Sequence, residues 1–209
     1  MLHEELEGRL PLVAILRGLE PERAVDVAGV LIEAGFDILE VPLNSPRPLD
    51  SIGAMVEAYS DKALIGAGTV LTTEEVDALN GIGARLVVSP NCDPSVISRT
   101  AEHGMVSLPG VLTPTEMFAA IKAGASGLKI FPAELMPPSG VKAVRAVLPA
   151  HCPIYVVGGI NARNMRDFLS AGAAGFGMGS AVFKPGKSLH DIAADTRDIV
   201  DAFKSARAD

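Results

Sequence analysis

Cysteine is scarce in this 209-residue chain, which has only Cys92 and Cys152. Neither belongs to a CxxC or other metal-ligand spacing, and two thiols cannot build a disulfide framework. They read as reduced and buried, with a single disulfide left open. Histidine is equally sparse. His3, His103, His151 and His190 lie far apart, and none forms HxxxH, HxH or a carboxylate pair with ligand spacing, so a catalytic zinc loses its main support. Basic residues are outnumbered, 18 against 25 acidic, for a net charge of -7. Such a surface has no long-range attraction for nucleic acid or anionic lipid. No uninterrupted apolar run approaches the roughly 18 residues of a membrane span. The opening "MLHEELEGRL" lacks a basic segment leading into an apolar one, so no secretory signal is read. A soluble cytoplasmic protein is expected.

Apolar residues make up 48% of the chain, and one pattern recurs through them: an amphipathic helix, a glycine, then a short β-branched run. It appears in "LIEAGFDILEV", "NGIGARLVVSP", "AEHGMVSLPG", "IKAGASGLKI" and "LSAGAAGFGMG". Glycine suits the left-handed position that ends a helix, and an apolar run suits a strand covered on both faces. The pattern predicts strands near 11–16, 37–43, 63–70, 85–91, 105–109, 127–132, 153–158 and 174–179. Helices are predicted near 21–34, 47–59, 73–82, 93–103, 113–123, 140–148, 162–171 and 188–206. Parallel βαβ units repeating every ~20–25 residues point to an α/β fold, a single (β/α)8 TIM barrel over residues 1–209 with a short N-terminal helix across its bottom. An open doubly wound sheet is the alternative.

Catalytic groups in such barrels come from the C-terminal ends of strands. Arg17 after "VAIL", Glu40 in "DILEVPL", Thr69 in "IGAGTV" and Lys129 in "GLKIF" all fall there. Counting by twos puts Arg17 in phase with Val13 and Ile15, and Lys129 in phase with Phe131. Lysine is almost never fully buried without a partner. Lys129 is therefore either a structural ion pair with Glu40 or an amine that apolar neighbours keep uncharged, able to form a Schiff base with a ketone. Glu40 is a counterion, a general acid/base, or both. Arg17 is either a salt bridge at the barrel mouth or a fork for a substrate carboxylate, which Thr69 could also hydrogen-bond. "VVGGI" at 156–160 and "GMGS" at 177–180 offer the backbone N–H groups of Gly159, Gly179 and Ser180 where many barrels hold a phosphate; tight turns are the alternative. "GAGTV" lacks the third glycine of a dinucleotide loop, and Cys92 has no partner histidine.

Taken together, "ILRG" at 15–18, "EVPLNSP" at 40–46, "GAGTV" at 66–70, "SPN" at 89–91, "KIFP" at 129–132, "VGGI" at 157–160 and "GSAVF" at 179–183 closely resemble the 2-keto-3-deoxy-6-phosphogluconate/6-phosphogalactonate aldolase family. The resemblance runs in order from about residue 11 to 187. It implies a trimeric (β/α)8 barrel and a class I aldolase without metal or cofactor. The substrate would be a phosphorylated keto-deoxy sugar acid, and the products pyruvate and glyceraldehyde 3-phosphate. It further implies Lys129 as the Schiff-base lysine, Glu40 as the acid/base, Arg17 and Thr69 as substrate-binding, and Gly159, Gly179 and Ser180 as the phosphate cradle. The gluconate branch typically carries arginine four residues after the glutamate and threonine before the paired glycines. This chain has Asn44 and Val157 there, similar to the galactonate branch, and both are expected to govern discrimination at C4. An isomerase or epimerase on the same barrel would not need Lys129, and a phosphosugar-binding regulator would not need both Lys129 and Glu40.

Overall fold

The computed structural model describes residues 3–208, so Met1, Leu2 and Asp209 of the expected domain lie outside the described residues. Strands and helices alternate as β1 (Leu12–Ile15), α1 (Pro21–Glu33), β2 (Ile38–Pro42), α2 (Pro48–Tyr59), β3 (Leu64–Gly68), α3 (Thr73–Gly81), β4 (Leu86–Val88) and α4 (Pro94–Glu102). They continue as β5 (Val106–Leu108), β6 (Gly110–Val111), α5 (Pro114–Lys122), β7 (Leu128–Ile130), α6 (Pro138–Arg145), β8 (Ile154–Val157), α7 (Met165–Ser170), β9 (Gly175–Met178) and α8 (Leu189–Ala208). Proline opens α1, α2, α4, α5 and α6, where its missing N–H has no helical partner to lose. Thr72 with Glu75 and Thr113 with Glu116 form capping boxes at α3 and α5. The recurring glycine does what the pattern implied: Gly35, just past α1, has φ 105° and turns the chain toward β2.

All strand pairs are parallel, in the order β5-β4-β3-β2-β1-β9-β8-β7-β6. The two ends of that order are one stretch of chain. Ser89 N–H donates to Leu108 O (3.3 Å) on one side, while Ser126 N–H donates to Ser107 O and Lys129 N–H to Pro109 O (2.9 Å each) on the other. The barrel therefore closes through residues 106–111, and the open-sheet alternative falls. The fifth strand, expected over 105–109, instead runs on to Val111 and breaks in two at Pro109, which has no N–H for a ladder. Two helices also differ from expectation. The sixth starts at Pro138 after a 3-10 turn at Ala133–Leu135, and the seventh starts only at Met165, because "NARN" at 161–164 forms side-chain-bonded turns instead.

Period two divides the strand side chains between two cores. Leu12, Ala14, Leu39, Leu128 and Ile130 face the helices, whereas Val13, Ile38, Leu64, Leu86, Val106 and Tyr155 fill the barrel interior. The N-terminal helix is a single 3-10 turn, Glu4–Leu6, whose Leu6 joins the interior group and plugs the bottom. No described helix is long and apolar enough to cross a membrane.

Candidate functional site

Because Leu128 and Ile130 turn toward the helices, Lys129 between them must turn inward. It lines an interior cavity with Glu40, Val13, Ile15, Tyr155 and Val157. Lys129 is 7% exposed and Glu40 2%. Burial is the main cause that lowers the Lys129 pKa; Arg17 adds to it, and Glu40 opposes it. Burial likewise drives the Glu40 pKa up to about 7, against the pull of Lys129, Arg17 and the Gly68 N–H. Among the described residues no direct ion pair joins Lys129 and Glu40, and Glu40 Oε2 has no hydrogen-bond partner. A purely structural ion pair would close that contact. What the cavity holds is an amine biased toward its neutral form and a carboxyl poised to take or give a proton near neutrality. The Phe131 ring centroid lies 4.8 Å from Lys129 Nζ, at the mouth.

The surrounding loops set this pair. Gly68 ends β3 directly against the carboxylate, and a Cβ there would stand 2.1 Å from Glu40 Oε2. Thr69 follows with φ 57°, a left-handed backbone that a β-branched residue adopts at a cost of order 1 kcal/mol or more. Strain of this kind persists where the surrounding structure holds it, typically at binding sites. Arg17, exposed after β1, donates from Nη1 to Asn44 Oδ1 at 2.6 Å, so the residue expected to grip a carboxylate touches the one expected to set specificity. Gly18 N–H donates to Ser45 Oγ (3.0 Å), tying the same two loops again.

The glycine-rich ends of β8 and β9 do not share one depression. Gly179 and Ser180 line a hollow with Arg17, Gly18, Phe183 and Lys184. Gly159 lines another, with Gly158 and Glu134. Gly158 and Gly159 have φ 114° and 64°, and Cβ atoms on them would lie 3.0 and 3.2 Å from the Glu134 carboxylate oxygens. Val157, just before them, faces the Lys129 cavity.

Four contributors escaped sequence reasoning. Tyr155 is buried in the interior, its hydroxyl pKa pushed up to about 12 by burial, and period two from Val157 could have found it. Gly68 reads as part of a strand, Glu134 as a surface residue of "FPAE", and Lys184 as an ordinary loop lysine. Cys92 and Cys152 are free thiols whose pKa values burial raises. Among the described residues no group of three or more His, Cys, Asp or Glu side chains is placed to hold a metal ion.

Residues 4–196 match the family model described as KDPG and KHG aldolase. A Rhizobium meliloti (strain 1021) protein named probable 2-dehydro-3-deoxy-6-phosphogalactonate aldolase is 54% identical over 182 residues, 87% of this chain and 86% of its own length. The 2-dehydro-3-deoxy-6-phosphogalactonate aldolase of Escherichia coli (strain K12) is 47% identical over 200 residues, 96% of this chain and 98% of its own. A solved structure described as native KDPGal superposes with a TM-score of 0.95 at 46% identity, over 98% of this chain and 99% of that one.

Proposed function

The chain belongs to the KDPG and KHG aldolase family, and from that premise we propose that it reversibly cleaves 2-dehydro-3-deoxy-6-phospho-D-galactonate into pyruvate and D-glyceraldehyde 3-phosphate through a Schiff base. The observation that carries the chemistry is the buried Lys129 facing a Glu40 whose pKa stands at about 7. Neutral Lys129 attacks the C2 ketone while Arg17 and Thr69 hold the C1 carboxylate. Glu40 relays protons as the carbinolamine loses water to give the iminium. It then takes the C4 hydroxyl proton; the C3–C4 bond breaks, and its electron pair flows into the iminium to form an enamine. Glyceraldehyde 3-phosphate leaves. Protonation at C3 and addition of water release pyruvate and return the free amine.

Asn44 and Val157 favour the galactonate epimer in this reading. A valine in place of a threonine removes one hydrogen bond, worth about 0.5–1.5 kcal/mol, so the gluconate epimer is cleaved more slowly rather than refused. The same proposal includes a cytoplasmic homotrimer, for which the exposed Phe118, Leu135 and Val147 offer apolar surface to bury. Light scattering of the purified protein measures that assembly. The function is tested by pyruvate release from the two 6-phosphate epimers, side by side. Faster cleavage of the galactonate epimer is the expected result, a gluconate preference overturns the roles of Asn44 and Val157, and no pyruvate from either overturns the reaction.

A further inference from the structure

A hollow of about 720 Å³ opens at the N-terminal end of the barrel, on the far side of the interior from the catalytic loops. It lies between the N-terminal segment, the turn from α7 into β9 and the last turn of α8, and it reaches inward to Tyr155. Small-molecule sites commonly occupy about 300–1,000 Å³ and combine apolar walls with a few placed polar groups. Leu6, Pro11, Leu169 and Ala173 supply the walls, and the exposed Arg207 stands at the rim.

The polar groups differ between floor and rim. Tyr155 is 3% exposed, and its hydroxyl has no hydrogen-bond partner among the described residues. A phenol taken out of water usually keeps one. Tyr155 stands in register with Lys129 on the neighbouring strand and lines the Lys129 cavity as well, so its ring divides the two spaces. The hydroxyl belongs to the lower space. Burial, then the charge of Asp37 just before β2, pushes its pKa up to about 12, so it stays protonated and can donate. Asp37 Oδ1 is itself buried without a partner, while Oδ2 faces Arg9 Nη1 at 3.4 Å. The floor is therefore acidic, and Arg9 is already engaged by Glu5 and Asp37. Arg207, by contrast, has no ion pair among the described residues. An amphipathic anion can lie in such a hollow one way round, with its charge outward at the guanidinium and a neutral acceptor inward.

We propose that this hollow is a second small-molecule site, which takes a monocarboxylate with an apolar body and a hydroxyl at its far end, the carboxylate on Arg207 and the hydroxyl oxygen accepting from Tyr155. The site uses neither Lys129 nor the aldol reaction, so it goes beyond the proposed function and is tested apart from it. The probes are trans-4-hydroxycyclohexanecarboxylate and cyclohexanecarboxylate, which carry no ketone for Lys129 to trap. Affinities are measured by isothermal titration in the wild type, Arg207→Met and Tyr155→Phe, each first checked for an intact melting transition. The chain has no tryptophan and two tyrosines, so in a Tyr59→Phe background the tyrosine absorbance difference reads Tyr155 alone. The wild type is expected to bind the hydroxy acid more tightly than the plain acid and to show that absorbance change. Arg207→Met should weaken both acids roughly three- to tenfold. Tyr155→Phe should weaken only the hydroxy acid, roughly two- to tenfold, the scale of one neutral hydrogen bond. Blocking Lys129 with pyruvate and borohydride should leave both affinities unchanged. The assignment is overturned by absent binding, by equal wild-type affinity for the two acids, or by an unchanged tyrosine spectrum. It is equally overturned by indifference to Arg207→Met, by equal losses of both acids in Tyr155→Phe, or by loss of binding once Lys129 is blocked, which would put the probes in the catalytic cavity.

Discussion

At the N-terminal end of the barrel, charges are largely paired with one another, although Asp37 Oδ1 is left without a partner. Arg85 Nη1 meets Glu5 Oε1 at 2.6 Å, and Arg9 reaches both Glu5 (3.6 Å) and Asp37 (3.4 Å) around the plug residue Leu6. At the C-terminal end the charges are left open. Lys129 and Glu40 share a cavity without touching, Arg17 holds only an amide, and Lys184 holds nothing among the described residues. One sheet thus has an end where most charges pair and an end where several stay open, as the proposed substrate site would require. The division follows from the chain's direction: strands begin at the bottom beside tight loops, and the longer loops after each strand carry the polar groups.

The contrast can be broken most severely at Lys129. Lys129→Met should abolish borohydride-trappable imine and all turnover, while raising the melting temperature, because a methionine of similar length replaces a buried, desolvated polar amine, worth about 1 kcal/mol or more. A destabilised but active variant would mean the lysine is structural. Next comes Glu40→Gln, expected to lower kcat by roughly 10²–10⁴-fold and to remove a pH limb near 7 from the rate profile. Stability should respond in the opposite sense. The carboxyl binds its proton more tightly folded than unfolded, so wild-type stability falls as pH rises from the ordinary 4.5 through about 7. Chemical denaturation across that window should show the fall in the wild type and a flatter curve in Glu40→Gln. The smallest effect belongs to the bottom: Arg85→Ala loses the Glu5 pair and bonds to Ser60 O and Ala63 O, about 1 kcal/mol, with kcat and KM untouched. A kinetic change there would erase the distinction between the two ends.

Much of this was legible in the residues because charge inside an apolar run is expensive. Lys129 between Leu128 and Ile130, and Glu40 between Leu39 and Val41, announce a cavity on the strand's other face. Alternation gave the repeat, and the glycines gave the helix ends. The break at Pro109 was not legible, since whether a strand continues past a proline depends on which carbonyls its distant neighbours need. Nor was the left-handed backbone of Thr69, because a threonine signals nothing of its φ. Gly159 looked equivalent to Gly179 until the fold brought Glu134 over one and Lys184 near the other.

The hydrogen bond from Arg17 to Asn44 has an evolutionary consequence. An arginine at position 44, as the resembling gluconate branch carries, would set two guanidiniums where one now binds an amide oxygen 2.6 Å away. Like charges so close repel, and the acceptor that orients Arg17 would be gone. In the proposed reading, where Arg17 grips the substrate carboxylate, that grip would move from the β1 loop to the β2 loop rather than sit on both. On that reading positions 17 and 44 are coupled, and a change of epimer preference is expected to need both to change together, each single change alone weakening binding.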